Sequence, residues 1–284
     1  MPYFKSVVFA GGGCRSVWQA GFWHAAANAL ALDRAVIGCV SAGAAMACLV
    51  KAKQTLKGVD VFKQNFANNP KNAYLSNLGT SQSVFPQHRM YRKGLIAVLD
   101  EAAMNKIRQS PGIRVLIATP PAALTPMLST ILGIGVYTLE KQLLKPMHPT
   151  WSQKVGFKPL VVPAEKCDSV EQLTDLVLQS SCTPPFVPVL YRKGQPVLDG
   201  GLIYNVPVGT VEDVKGPMLV LLSRCYPTNR IPSTKGRVYV QPSRTPFISR
   251  WDYTNPDGLQ KTFDLGCRDG EAFLKRFSVQ VFAD

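Results

Sequence analysis

Three short stretches hold residues whose types could do chemistry together: Gly11-Gly12-Gly13-Cys14-Arg15-Ser16, Val40-Ser41-Ala42-Gly43 and Asp199-Gly200-Gly201. Ser41 closes a β-branched run and is followed by small residues that suit a helix start. That is the grammar of a nucleophile elbow, where a strained turn pushes a hydroxyl clear of the backbone. Strand and helix cross closely there, so the positions two before and two after the serine must be small. Gly43 meets the demand, and Cys39 stands where G-x-S-x-G has its first glycine. An ordinary strand-to-helix junction is the competing reading, as a plain turn is for an isolated Asp-Gly-Gly.

The glycine run allows several readings. A dinucleotide fingerprint wants glycine where Ser16 stands, and an acid at the far end of the second strand, whereas Asp33 precedes that strand. A Walker loop needs G-K-[ST], which the run lacks. An oxyanion hole would use backbone N–H groups at a helix N-terminus, aimed at developing negative charge. A tight turn without a ligand is the remaining option.

A serine hydroxyl needs a base to react at neutral pH. The α/β-hydrolase order is Ser, acid, His, but His24, His88 and His148 all precede Asp199. A conventional triad is therefore disfavoured. An aspartate on a loop is left as the base, and Asp199 is the best placed.

The elements that must position these groups alternate between strand and helix. Residues Lys5–Ala10 form a compact apolar run before the glycines. Val17, Trp18, Gly21, Phe22, Ala25, Ala29 and Leu30 then share one face at helical spacing. Strands are expected over Arg34–Val40, Ile113–Thr119, Gly156–Pro163, Val189–Arg192, Pro196–Leu198, Met218–Leu222 and Arg237–Gln241. Helices are expected over Ser41–Ala52, Thr55–Asn68, Arg89–Ile107, Asp168 to about Ser180, and Asp257–Phe277. The pattern predicts an α/β protein with a mainly parallel sheet flanked by helices on both faces, and one domain over residues 1–284. The glycine run and Ser41 both fall at the C-terminal edge of such a sheet, where its ligands bind.

Ala122–Leu139 is uncharged over its whole length, with Leu124, Leu128, Ile131, Leu139 and Leu143 as a stripe and Thr125, Ser129 and Glu140 off it. At about 27 Å it falls short of a bilayer core of about 30 Å. A lid or interfacial helix is the preferred reading, over a core helix and a transmembrane span. A net charge of +14, spread along the chain, favours anionic partners such as phospholipid headgroups, nucleic acid or acidic substrates. The odd set of seven cysteines, with no metal-ligand spacing, reads as buried free thiols in a reducing compartment. No signal peptide is evident, so the chain is expected to be cytoplasmic and in peripheral contact with membrane. Export by a signal-free route stays open.

In order and spacing, the Gly-Gly-Gly-x-Arg run, the Val-Ser-Ala-Gly elbow and the Asp-Gly-Gly turn resemble the patatin-like phospholipases. The likeness extends to the proline-rich 181–188 and to Asn205 and Pro207, and covers most of residues 5–210. The resemblance implies a patatin-like α/β fold and a Ser41–Asp199 dyad. It also implies an oxyanion hole from Gly11, Gly12 and Gly13, chiefly the Gly12 and Gly13 amides. Arg15 would support that loop or the substrate phosphate, and Cys39, Gly43, Gly200 and Gly201 would complete the motifs. The departures are Cys39 and Ser16. The implied activity is a lipid acyl hydrolase of phospholipase A or lysophospholipase type, with no metal or cofactor, acting at anionic membrane through basic surface and Ala122–Leu139. Two alternatives remain: an inactive hydrolase fold that binds nucleic acid or membrane, and a soluble esterase. No compact basic–aromatic cluster supports nucleic acid.

Overall fold

A computed structural model describes residues 3–143 and 151–281. The first unit is β1 (Ser6–Phe9), the glycine loop and α1 (Val17–Ala26), followed by β2 (Val36–Val40) and α2 (Ala42–Lys51). Next come α3 (Thr55–Ala67), α4 (Gln87–Val98), α5 (Glu101–Arg108) and β3 (Ile113–Thr119). Then follow α6 (Pro126–Leu143), α7 (Trp151–Lys154), β4 (Lys158–Pro163), α8 (Val170–Ser180), β5 (Leu190–Arg192) and β6 (Gln195–Asp199). The chain continues through β7 (Met218–Leu221), β8 (Arg237–Val240) and α9 (Pro256–Val281).

The sheet order is β5-β6-β3-β2-β1-β7-β8, with β4 also paired to β3. Strands β3, β2, β1, β7 and β8 run parallel, while β4 and β6 are antiparallel to β3 and β5 to β6. The result is a mostly parallel α/β sheet flanked by helices. The central strands read as unbroken apolar runs because both faces are covered. Alternation sorts them into two cores: Val7, Phe9, Leu219 and Leu221 face the larger one, and Val8, Ala10, Met218 and Val220 the smaller. On the larger side α9 lies on α1, where Trp18 Nε1 donates to Asp269 Oδ2 at 2.7 Å and the Phe22 and Phe273 rings are 5.5 Å apart.

Several expected elements are corrected. The single helix expected over 89–107 is two, because Asp100 leaves helical geometry and caps α5, accepting the Ala103 N–H at 2.8 Å. The helix expected from Asp168 begins at Val170, capped by Ser169, which accepts from Gln172 N at 3.3 Å while Gln172 Oε1 accepts from Asp168 N at 3.0 Å. The helix expected over 122–139 begins at Pro126, whose missing N–H costs nothing at a first turn. Its apolar stripe faces outward, which sets aside the core-helix alternative: Leu128, Ile131 and Leu139 are exposed, while Ser129, Thr130 and Glu140 are buried. Among the cysteines, Cys225 is exposed and Cys267 half-buried, so not all seven thiols are interior.

Candidate active site

The site is built where β2 gives way to α2. Ser41 has φ 55 and ψ −134, a left-handed conformation costly for a residue with a side chain. The turn is held in place by its own backbone: the Ser41 N–H donates to Ser180 Oγ at 2.8 Å, and Ser180 Oγ donates to the Leu116 carbonyl at 2.7 Å. Ser180 ends α8, so a serine from another layer fastens the turn to β3. Two positions on, a Cβ at Gly43 would lie 2.7 Å from both the Phe9 and the Ala10 carbonyl oxygens. Backbone cannot give way cheaply there, which is why this position must be glycine. Cys39, by contrast, is fully buried with its thiol 3.5 Å from the Arg114 carbonyl, so a small side chain has room.

Strand β6 delivers Asp199 from the opposite direction. The Ser41 hydroxyl donates to Asp199 Oδ2 at 2.7 Å, and Asp199 Oδ1 accepts the Gly201 N–H at 2.7 Å. Gly200 packs against the Leu116 carbonyl, with only 2.5 Å available for a Cβ. Ser41 and Asp199 are both buried. Burial pushes the Asp199 carboxyl above the usual aspartate value, against the downward pull of the Arg250 charge and of the Ser41 and Gly201 hydrogen bonds. The pair therefore has the proton-transfer geometry, and a dry setting raises the basicity of the acceptor.

The glycine loop meets the same edge of the sheet. The Gly11 N–H donates to the Asn205 carbonyl at 2.9 Å, and the Cys14 N–H to the Arg250 carbonyl at 3.1 Å. Gly11 is thus corrected as an oxyanion donor, since its N–H is already committed. Between them, the Gly12 and Gly13 N–H groups have no protein acceptor among the described residues. Gly13 has φ +58, and Arg250 stands where its side chain would be. The Gly11 carbonyl is itself held by Asn205 Nδ2 at 3.0 Å and the Ser223 hydroxyl at 2.6 Å. Gln19, fully buried, donates to the Ala10 and Leu221 carbonyls at 2.9 Å each and anchors the start of the loop. Arg15 is half-buried with Nε 3.4 Å from the Gly12 carbonyl.

A narrow, mostly apolar cavity opens beside Ser41, walled by Met46, Phe62, Phe66, Leu178, Val187 and Leu259. His88 reaches this cavity from α4, but the Ser41 hydroxyl is directed to Asp199. His24 is exposed on α1, and His148 lies outside the described residues. Among the described residues, no group of His, Cys, Asp and Glu gathers as for a metal ion. The sequence pointed to Ser41, Asp199 and the glycine loop. It gave no sign of Ser180, Gln19, Ser223 or Arg250, whose contacts are long-range and carry no local pattern.

Residues 7–211 match the family model for Patatin-like phospholipase. No curated protein sequence matches the chain significantly. The crystal structure of VipD from Legionella pneumophila is similar over 97% of this chain and 67% of that chain, at 12% identity and a TM-score of 0.47.

Proposed function

Because the chain belongs to the patatin-like phospholipase family of lipid acyl hydrolases, we propose that Ser41 is its nucleophile, Asp199 its base, and the Gly12 and Gly13 amides its oxyanion hole. The observation that carries this reading is the 2.7 Å hydrogen bond from the Ser41 hydroxyl to Asp199 in a buried site. Asp199 takes the serine proton as Oγ attacks an ester carbonyl, and the two amides take up the charge that develops on oxygen. The protonated Asp199 then supplies the alcohol leaving group with its proton. In the second half Asp199 draws a proton from water as the water oxygen attacks the acyl carbon, then returns that proton to Ser41 Oγ as the acyl–serine bond breaks and the fatty acid leaves. General-base assistance of this kind is worth about 10²–10⁴-fold, and each oxyanion donor about 10²–10³-fold. The lipid chain itself keeps the site dry and so helps hold the carboxylate basic.

The surface of α6 favours action at a membrane over action on small soluble esters. Its apolar side chains Met127, Leu128, Ile131 and Ile134 face solvent, and the nearby β4 exposes Leu160 and Val161. An apolar helix face beside a surface of net charge +14 suits peripheral contact with anionic lipid. Among the described residues no helix is long and apolar enough to cross a membrane. A fluorophosphonate probe tests the nucleophile: it should label Ser41 as mapped by peptide mass spectrometry. Labelling elsewhere, or none at all, would remove Ser41 from the role.

A further inference from the structure

Two segments from beyond the family-matched region close on the glycine loop, and each brings an arginine. On one side the Ser223 hydroxyl holds the Gly11 carbonyl at 2.6 Å, and the Ser223 Cβ lies 2.4 Å from where a Gly12 Cβ would stand. Arg224 follows directly. On the other side Arg250 accepts the Cys14 N–H, and its Cγ lies 2.9 Å from where a Gly13 Cβ would stand. Arg15 extends from the loop itself.

Three arginines therefore gather around the glycine loop, close enough for the Arg224 and Arg250 charges to act on Arg15, and Arg250 also lines the cavity beside Ser41. Among the described residues neither Arg15 nor Arg250 forms a salt bridge. Arg250 Nε is buried with no acceptor. Clustered, partly buried like charges are costly without an anion, and a buried N–H without an acceptor asks for one. Burial, and then the neighbouring Arg250 and Arg224 charges, push the Arg15 guanidinium below its ordinary value, as such crowding requires.

The aromatic rings nearby narrow the ligand further. A quaternary ammonium is recognised by open aromatic faces. Here the Arg224 guanidinium stands 4.7 Å from the Tyr226 ring centre and that of Arg250 stands 5.1 Å from the Trp251 ring centre. Trp251 is also stacked on Phe186 at 5.4 Å. A choline headgroup would meet guanidinium where it needs a ring.

We propose that Arg15, Arg224 and Arg250 form a headgroup subsite for a phosphomonoester, so that phosphatidic and lysophosphatidic acids are preferred over choline lipids. A phosphomonoester carries a charge of about −1.5 to −2 at neutral pH and accepts bidentate arginine hydrogen bonds. The substrate side of this proposal rests on the Ser41–Asp199 reading; the binding side does not.

Dihexanoyl phosphatidic acid and dihexanoyl phosphatidylcholine, compared as monomers, remove any effect of basic surface on a charged interface. The wild type should favour phosphatidic acid in kcat/KM by about tenfold or more, the scale of one hydrogen bond to a charged group. Arg224→Gln and Arg250→Gln should each bring the ratio towards one, whatever their absolute rates. Arg250→Lys, which keeps the charge, should retain part of the preference and so separates lost charge from lost fold. A wild-type ratio of one or below, or a ratio unmoved in both glutamine variants, overturns the proposal. Glycerol 3-phosphate distinguishes the source of the phosphate, and inhibition as strong as by lysophosphatidic acid would make the subsite one for soluble phosphates instead. If the wild type turns over neither lipid, the dyad reading is what fails. The subsite is then judged by melting Ser41→Ala with glycerol 3-phosphate against glycerophosphocholine. Stabilisation by the first alone, lost on adding Arg250→Gln, upholds the subsite, and equal response to both refutes it.

Discussion

Val40 and Asp199 are in register with adjacent residues of β3, Leu116 and Ile117. Leu116 and Ile117 also pair with Val161 and Leu160 on the other edge of the strand. Strands β2 and β6 therefore share one edge of β3 and arrive from opposite directions, end to end. Ser41 is the residue after Val40, so the distance from its hydroxyl to the Asp199 carboxylate is fixed by strand register and not by a loop. A slip of one residue in β6 would turn Asp199 to the opposite face.

Replacing either partner should stop turnover. Ser41→Ala and Asp199→Asn are each expected to lower fatty-acid release from a phospholipid or p-nitrophenyl ester by at least about 10²-fold, the lower bound for losing the base. Full activity in either variant would remove the dyad.

Asp199 also gives a signed pH dependence. Its folded-state carboxyl sits above the ordinary aspartate value, with burial as the leading cause. The acid limb of kcat/KM should therefore lie above about pH 3.9, with activity rising as the carboxyl ionises. Stability runs the other way: the folded state holds this proton more tightly than the unfolded state. That contribution is present below the unfolded value and is lost as pH rises through the folded one. Asp199→Asn should abolish this slope and melt above the wild type at neutral pH, read by thermal denaturation across pH.

Ser180→Ala leaves the Ser41 N–H and the Leu116 carbonyl without their shared partner. A loss of about 1–3 kcal/mol is expected from orphaning buried groups, together with a fall in kcat larger than any rise in KM. A variant with wild-type melting and wild-type kcat would show that the turn holds its strain unaided.

The two small-residue positions around Ser41 should separate sharply. Gly43→Ala drives a methyl against two backbone carbonyls and should cost about 1–3 kcal/mol or more, with activity lost. Cys39→Gly loses one small buried group and adds strand entropy, about 1–2 kcal/mol, with the fold and most activity kept. Urea denaturation with ester assays on both variants decides it, and unfolding of Cys39→Gly would contradict the packing described around Ser41.

The outward face of α6 can be tested by making it polar. Ile131→Asp with Ile134→Asp should lower the ratio of vesicle turnover to soluble-ester turnover severalfold and weaken co-sedimentation with anionic vesicles. An unchanged ratio would leave α6 an ordinary surface helix.

The fold class was legible because β1, β2 and most of β3 are buried on both faces and are written as largely apolar runs between helical patterns. The break between α4 and α5 was hidden because Leu99-Asp100 contains neither glycine nor proline, only a capping aspartate. The direction of α6 was legible only as one of three alternatives. A stripe shows that a helix has two faces but not which one meets the protein, and here the polar Ser129, Thr130 and Glu140 are inside. At the candidate site the sequence marks Ser41, Asp199 and the glycines through local backbone demands. The groups that steady them, Gln19, Ser180, Ser223 and Arg250, answer to partners far along the chain, and nothing in their own neighbourhoods announces it.

The glycine loop is braced by residues outside the family-matched stretch, Ser223 at Gly11 and Arg250 at Cys14. The Ser41–Asp199 pair and the aim of the loop amides thus come from different parts of the chain. Two proteins could share every motif residue between 7 and 211 and still differ in rate, because the unshared part sets where those amides point. Grafting the stretch that follows residue 211 from one relative onto another becomes a way to retune turnover with every motif residue left in place. The graft must carry β7 with it, since that strand pairs with β1 and ties the brace to the sheet.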